Sequence, residues 1–325
     1  MSGPVVVFGD LVVDHILQIE RLPVEAGQHQ TIRQMEISPG GAANVLIAGA
    51  RLGLAMQAVG PVGDDDAGKQ LMAALRSEGV NVEHVIPQAG ERTSTVVTLV
   101  GQAGQHVFLG YRGARGPEKL TPGWEEAIRQ GAALFLDGWT YRAMPPSVTL
   151  EAARTAFEAG VPLFFDPGPE FPCFAPEWLD GVLACTAVLL LTEEEARGML
   201  SEALPAEGLA ARLLARGPRL VVIKRGAGGC LIGSADRTAT HPGFPVEVRD
   251  ATGAGDTLAA AVMFACLRGY DPEAMCVLAN AAGAAAVRKL GAGLNVPHAD
   301  EIRAILRQAG VQNPHLRAFL ESGAG

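Results

Sequence analysis

Residues 249–267 read RDATGAGDTLAAAVMFACL. Gly253, Ala254 and Gly255 are small enough to let backbone close on a ligand, and an apolar helix follows from about Asp256. A helix starting there aims unpaired amide N–H groups and the positive end of its dipole at whatever docks, which favours phosphate. Asp256 is the first side chain able to reach from that turn toward a bound hydroxyl. A carboxylate beside an anion hole can take the proton of an attacking alcohol while the amides hold a transferring phosphoryl group. An ordinary N-cap aspartate on a core helix is the competing explanation, and the motif alone leaves both standing.

A second stretch imitates a phosphate loop. GDDDAGKQ, residues 63–70, places Gly63, Gly68 and Lys69 in the P-loop frame, but Gln70 stands where a Mg²⁺-binding hydroxyl is needed. Asp64, Asp65 and Asp66 would repel a polyanion. The pattern predicts an acidic turn capping an amphipathic helix with Leu71, Met72 and Leu75 turned inward.

The elements that must position this chemistry are legible as short apolar runs: PVVVFGD, ALFLDGW, VPLFFDPG, AVLLLT and RLVVIKRG, each ending in Gly, Asp or Thr. Such runs, alternating with helical patterns, imply a largely parallel sheet buried on both faces, with ligands at the carboxyl ends of its strands. Two stretches break the rhythm. DHILQIERL with QTIRQMEIS, and TSTVVTLVGQAGQHVFLGY, alternate in polarity without intervening helices, and predict a small β lid from about 14–37 and 92–112, with edge strands of the main sheet as the alternative. From Gly255 onward the pattern is nearly all helical, and residues 313–325 read as a loose tail.

Composition narrows the function classes. With 325 residues, 48% hydrophobic and 19% charged, the chain can bury a substantial core without staples. Cys173, Cys185, Cys230, Cys266 and Cys276 are scattered and form no CxxC pair, so reduced, buried thiols are expected. The seven histidines form no metal-ligand cluster. A formal net charge of −9 disfavours nucleic acid and anionic membranes. No run approaches the ~18 apolar residues of a membrane span and no secretory leader is evident, so a cytoplasmic protein acting on small molecules is expected.

DATGAGDTLAAA is similar to the C-terminal signature of the ribokinase-like carbohydrate kinases, the PfkB family, and SPGGAANVLIAGARLG at 38–53 resembles the N-terminal one. AVGPVGDDDAGKQLMAALRSEGVNVEHV also looks like the family's segment, so the resemblance spans nearly the whole chain. It implies one ribokinase-like α/β domain over 1–325: a three-layer α/β/α body with a mostly parallel central sheet, plus a small β-sheet lid. It also implies that Asp256 is the catalytic base, with Gly253, Ala254 and Gly255 shaping the anion hole. Asp14, in GDLVVDHIL at the end of the first strand, would hold substrate hydroxyls, with Gly40, Gly41 and Asn44 lining the same pocket.

The same resemblance distributes the nucleotide end. Glu195 matches a glutamate that orders Mg²⁺ through water, although LLLTEEEA has Thr192 where the family usually has Asn. VIKRGAGGCLI resembles the strand, turn and strand that cover ATP, bringing Lys224, Gly226 and Gly228 to phosphate and ribose, with Thr252 alongside. Asn280 matches a position near the adenine. Backbone or side-chain oxygens at Asp250 and Thr252, with the KLGAGLN loop, would form a K⁺ site.

The acceptor is the open question. Tyr111, Arg112 and Arg115 in FLGYRGARGPEKL follow the second lid segment, where they could meet a carboxylate or phosphate, as in 2-keto-3-deoxygluconate or a sugar phosphate. Were the arginines merely solvated, ribose or fructose would fit as well. Three Trp and three Tyr offer no obvious pair to bracket a base, which disfavours a nucleoside. The expectation is an ATP- and Mg²⁺-dependent sugar kinase, with K⁺ as a candidate activator, working as a homodimer joined through the lid. A nucleoside or pseudouridine kinase on the same scaffold is the alternative, and a non-catalytic sugar sensor a lesser one.

Overall fold

The computed structural model describes residues 3–102 and 105–322. Among them thirteen strands follow in chain order. The first seven are β1 Val5–Phe8, β2 Leu11–Gln18, β3 Gln34–Gly41, β4 Met56–Gly63, β5 Asn81–Gln88, β6 Ser94–Val100 and β7 His106–Tyr111. The rest are β8 Ala133–Asp137, β9 Leu163–Asp166, β10 Thr186–Thr192, β11 Leu220–Lys224, β12 Cys230–Ser234 and β13 Thr238–His241.

Nine of them form one sheet in the order β13-β12-β11-β10-β9-β8-β1-β4-β5. Every pairing from β11 to β5 is parallel, and β12 and β13 add antiparallel at one edge. Alternation along a strand explains the continuous apolar runs. Val5 and Val7 pack with the core under helices Ala42–Arg51, Ala254–Leu267 and Pro272–Ala286, whereas Val6 and Phe8 join the opposite core under Pro122–Gln130, Pro146–Glu158 and Ala206–Leu214. A sheet covered on both faces needs apolar residues at every position. The body is therefore a three-layer α/β/α sandwich, with β4 and β5 as additional parallel strands that the Gly- and Pro-broken sequence did not announce.

The remaining four strands form a separate sheet in the order β3-β2-β6-β7. Its strands reach further toward the body than the span from 14 to 37 suggested, because Leu11 still pairs with Gly41. Asp14 accordingly lies within β2, opposite Ser38, and not at the end of the first strand, which stops at Phe8. Register separates the lid's faces: Asp14, Ile16, Val96 and Phe108 look toward the body, while Met35, Ile37, Val107 and Leu109 form an apolar outer face with relative exposures of 61%, 49%, 43% and 54%.

The base of the lid is pinned to the loop near residue 293. The Leu294 amide donates to Ser38 Oγ at 3.2 Å, and Asn295 Nδ2 donates to Glu36 Oε1 at 2.7 Å. A Cβ on Gly293, whose φ is +59°, would lie 2.1 Å from Ser38 Oγ. Only glycine permits that approach.

Three details settle local expectations. Asp65 caps helix Asp66–Ser77, accepting the Gly68 amide at 2.9 Å and the Thr93 hydroxyl at 2.6 Å. The imitation P-loop is thus a cap that also ties the start of β6 to the body. Residues described beyond 313 are not loose: Pro314–Leu316 and Arg317–Glu321 are helical, and Leu316 and Phe319 are buried against the core. That segment is too short to display a periodicity, so its two anchors were hidden; residues 323–325 lie outside the described ones. All five cysteines are free, but only Cys230 and Cys276 are buried and Cys173 is exposed.

Candidate active site

Between lid and body lies a cavity of about 1140 Å³, reached by the lid strands β2, β6 and β7, by the carboxyl ends of β8, β9 and β11, and by the start of helix Ala254–Leu267. The helix begins at Gly253, whose φ of +73° is left-handed and whose Cβ, if present, would sit 2.6 Å from that of Ala292. Glycine is required there twice over, by conformation and by space. Ala254 donates its amide back to Ala251 O at 3.2 Å, so it is committed to the turn. The Gly255 and Asp256 amides have no backbone acceptor among the described residues. The amides free to meet an anion are these two, with Lys224 Nζ 3.6 Å from where a Gly255 Cβ would stand.

Asp256 does not cap its helix. Its Oδ2 accepts Asn44 Nδ2 at 2.8 Å, and Asn44 Oδ1 in turn accepts the Gly293 amide at 2.8 Å. Burial pushes its carboxyl up to about 6, with Asp166 adding to the rise, while the Asn44 hydrogen bond and the Lys224 charge oppose it. A base with that pKa is ionised at neutral pH and still basic enough to accept a proton.

Asp14 faces the same cavity, and its carboxylate has no hydrogen-bond partner among the described residues. Burial, then the neighbouring Asp256 charge, raise it to about 7. Gly40 makes room for it, since a Cβ there would fall 2.2 Å from Asp14 Oδ2. Gly41, with φ +57°, starts helix Ala42–Arg51 and lines the cavity, as do Asn44 and Arg112.

At the other end Lys224 pairs with Asp166 at 2.7 Å. Burial alone would lower the ammonium, but the Asp166 and Glu195 charges hold it above its ordinary value. Glu195 lines the cavity, whereas Thr192 is turned away into a capping box: its hydroxyl accepts the Glu195 amide at 3.1 Å while its own amide donates to Glu195 Oε2 at 2.7 Å. Thr192 therefore orients Glu195 and does not itself line the cavity.

Asp250 accepts from the Thr252 amide at 2.9 Å and hydroxyl at 2.8 Å and from the Gly291 amide at 2.8 Å. Burial alone would raise this carboxyl, but these bonds hold it below its usual range. Both its oxygens are occupied in joining two loops.

Besides Gly40, Thr192 and Ala254, which stand behind the cavity wall, three nominated residues lie outside it. Gly226 and Gly228 form the exposed turn between β11 and β12. Asn280 is buried and donates to His241 O at 3.1 Å. Three others belong to the wall and were not nominated: Asp10, Asp137 and Asp166. Burial raises Asp10 to about 6, and raises Asp137, which accepts the Thr140 amide and hydroxyl, to about 7. The strand runs ending in GD, LD and FD carried the signal, because strand ends are where such a sheet binds ligands. Among the described residues no cluster of three or more His, Cys, Asp or Glu could cage a metal ion.

One cavity thus joins a buried carboxylate of raised pKa, two open amides, a buried ammonium and a set of unfilled acceptors. That suits transfer of an anionic group onto a polyol. Residues 3–299 match the profile of the pfkB family carbohydrate kinases. The chain is 33% identical over 299 residues to an ATP-dependent ribose-1-phosphate kinase of Halopiger xanaduensis, covering 91% of this chain and 95% of that one. It is 27% identical to the ribokinase of Bacillus subtilis, covering 92% and 98%. Its fold superposes with a TM-score of 0.82 on Arabidopsis thaliana ribokinase complexed with ribose and ATP, at 27% identity, covering 94% and 99%. Motif, fold and cavity agree, and the chain belongs to the pfkB family of carbohydrate kinases, the phosphotransferases built on the ribokinase fold.

Proposed function

We propose that this protein transfers the γ-phosphoryl group of ATP to a hydroxyl of a sugar, with Asp256 as the general base. One observation carries the reading: the Asp256 carboxylate and the open amides of Gly255 and Asp256 enter the same cavity as the unpartnered Asp14. Asp14 holds acceptor hydroxyls with Gly41 close by. Asp256 takes the proton of the hydroxyl that attacks phosphorus in line, and the two amides with Lys224 stabilise the charge on the transferring group. Closure of the lid excludes water from that step.

The donor set fits Mg²⁺ carried on the phosphates. Glu195, held by Thr192, would meet it through water, and the metal would neutralise phosphate charge. The nucleoside end of ATP would lie across the exposed Gly226–Gly228 turn. K⁺ would be bound by backbone oxygens around Asp250 and Thr252, because the Asp250 carboxylate is already committed. The apolar outer face of the lid supports pairing with a second copy, as an exposed β surface of this kind invites.

ADP release with MgATP and K⁺ tests the reading against ribose, fructose, ribose phosphates, 2-keto-3-deoxygluconate and nucleosides. The names of the relatives make ribose and ribose 1-phosphate the first acceptors to try. Turnover with one acceptor, abolished in Asp256→Asn, is the expected outcome. ATP-binding protein that turns over none of them would shift the assignment to a sugar-binding protein without catalysis.

A further inference from the structure

A second cavity of about 320 Å³ opens beside the main one, and the two share Asp10, Ser94, Arg112 and Arg142 in their walls. Arg115 and Tyr141 help to complete it. Its backbone is tightly seated. The Gly113 amide donates to Ser94 Oγ at 3.2 Å, the Ala114 amide to Arg92 O at 2.7 Å and the Gly116 amide to Ala143 O at 3.3 Å. A Cβ on Gly113 would lie 2.0 Å from Arg92 O, so only glycine lets the chain run so close. Arg112 and Arg115 therefore project from a fixed segment around the buried Ala114.

The charge here is unusual for an acidic chain. Three guanidiniums face one carboxylate, Asp10, in a protein of formal net charge −9. Arg142 is engaged by Glu170 at 2.6 Å, but Arg112 and Arg115 make no ion pair among the described residues. Unpaired guanidiniums in a concave wall are suited to oxyanions, whose geometry matches their planar fork. Both side chains are exposed, and they sit at the rim of that wall.

We propose that this side pocket receives an anionic substituent of the acceptor, phosphoryl or carboxyl, held by Arg112 and Arg115, so that the preferred substrate is a sugar already carrying charge. The proposal rests on the kinase reading above and names the substrate class of that site. The attacking hydroxyl and the charged substituent occupy opposite parts of one acceptor, the first at Asp256 and the second between the lid's last strand and the body.

Calorimetric binding of ribose 1-phosphate, ribose 5-phosphate, 2-keto-3-deoxygluconate and ribose to the intact protein tests this, with ADP release measured in parallel. A charged acceptor should bind at least about tenfold more tightly than ribose, and Arg115→Ala and Arg112→Ala should each cut that preference about tenfold or more, with Arg115→Lys restoring part of it. Response to the phosphates alone assigns a phosphoryl group, and response to the sugar acid alone a carboxyl group. Ribose bound as tightly as every charged compound, no binding of any charged compound, or a preference unmoved by both alanine variants would each overturn the proposal. Arginine-dependent binding without ADP release would leave the pocket standing and remove the kinase reading; ADP release from neutral sugars alone would do the reverse.

Discussion

Asn44 donates its side-chain amide to Asp256 at 2.8 Å while its carbonyl oxygen accepts the Gly293 amide at 2.8 Å. Asparagine is fixed in this orientation because both of its ends are used, and Asp256 inherits the fixity. The hydrogen bond also favours the ionised carboxylate, so it works against the burial that raises the group. Asn44→Ala should lower kcat about tenfold and move the acid limb of the pH–rate profile to higher pH. An unmoved limb with reduced kcat would mean that Asn44 orients the base without tuning it.

Asp256 itself should matter for turnover and not for binding. Asp256→Asn should bind ATP and acceptor while losing about 10² to 10⁴ in kcat, the usual range for a general base. With its carboxyl at about 6, the rate of the unaltered enzyme should be level above about pH 7 and fall roughly tenfold per unit well below pH 6. Near-normal kcat in the variant would sink the proposed role.

Gly253 and Gly255 are neighbours with opposite reasons for being glycine. Gly253→Ala meets a left-handed φ and the Ala292 methyl at 2.6 Å, and should cost about 1–3 kcal/mol in urea unfolding. Gly255→Ala places its Cβ no nearer than 3.6 Å to Lys224 Nζ, so stability should hold to within about 0.5 kcal/mol. Its methyl would instead occupy the anion hole, and KM for ATP should rise about tenfold. Equal loss of stability in both variants would refute the distinction.

How much of this was legible in the sequence depended on whether the signal was local. TGAGD carries its own turn, helix start and carboxylate, so Asp256 could be found without a fold. Asp10, Asp137 and Asp166 are single aspartates at the ends of β1, β8 and β9, and they converge only because those strands are adjacent and parallel. Strand order is not written in any one stretch. Thr192 lay in plain view, but its use as a cap depends on the backbone of the next turn rather than on its hydroxyl being free. The C-terminal segment hid for a different reason: two buried side chains, Leu316 and Phe319, suffice to dock it and are too few to make a pattern.

Asp14 should trade stability for binding. Its carboxyl stands at about 7 in the folded chain against 3.8 as the ordinary value, so the folded state holds the proton more tightly. Stability from this group is then greatest in acid and is lost as pH climbs from about 4 through 7. Asp14→Asn should raise stability by about 1–2 kcal/mol near pH 8 and leave it unchanged near pH 4, while weakening acceptor binding. A gain of equal size at both pH values would show that the effect is not one of ionisation.

For the outer face of the lid, Leu109→Glu should convert a dimer to a monomer in light scattering at micromolar concentration, with the circular dichroism spectrum unchanged. A unaltered protein that is already monomeric would remove the interface.

The glycine at 293 has a further consequence. Through its amide it steadies Asn44, which holds Asp256, and through its missing side chain it lets the lid hairpin settle against the loop that also returns to Asp250. In the proposed reaction, the parts that would seize the acceptor and the parts that would activate it thus meet at this loop. Acceptor preference can drift in the lid's inner strands without disturbing the chemistry, but this loop has no such latitude: here, recognition and reaction are one mechanical joint.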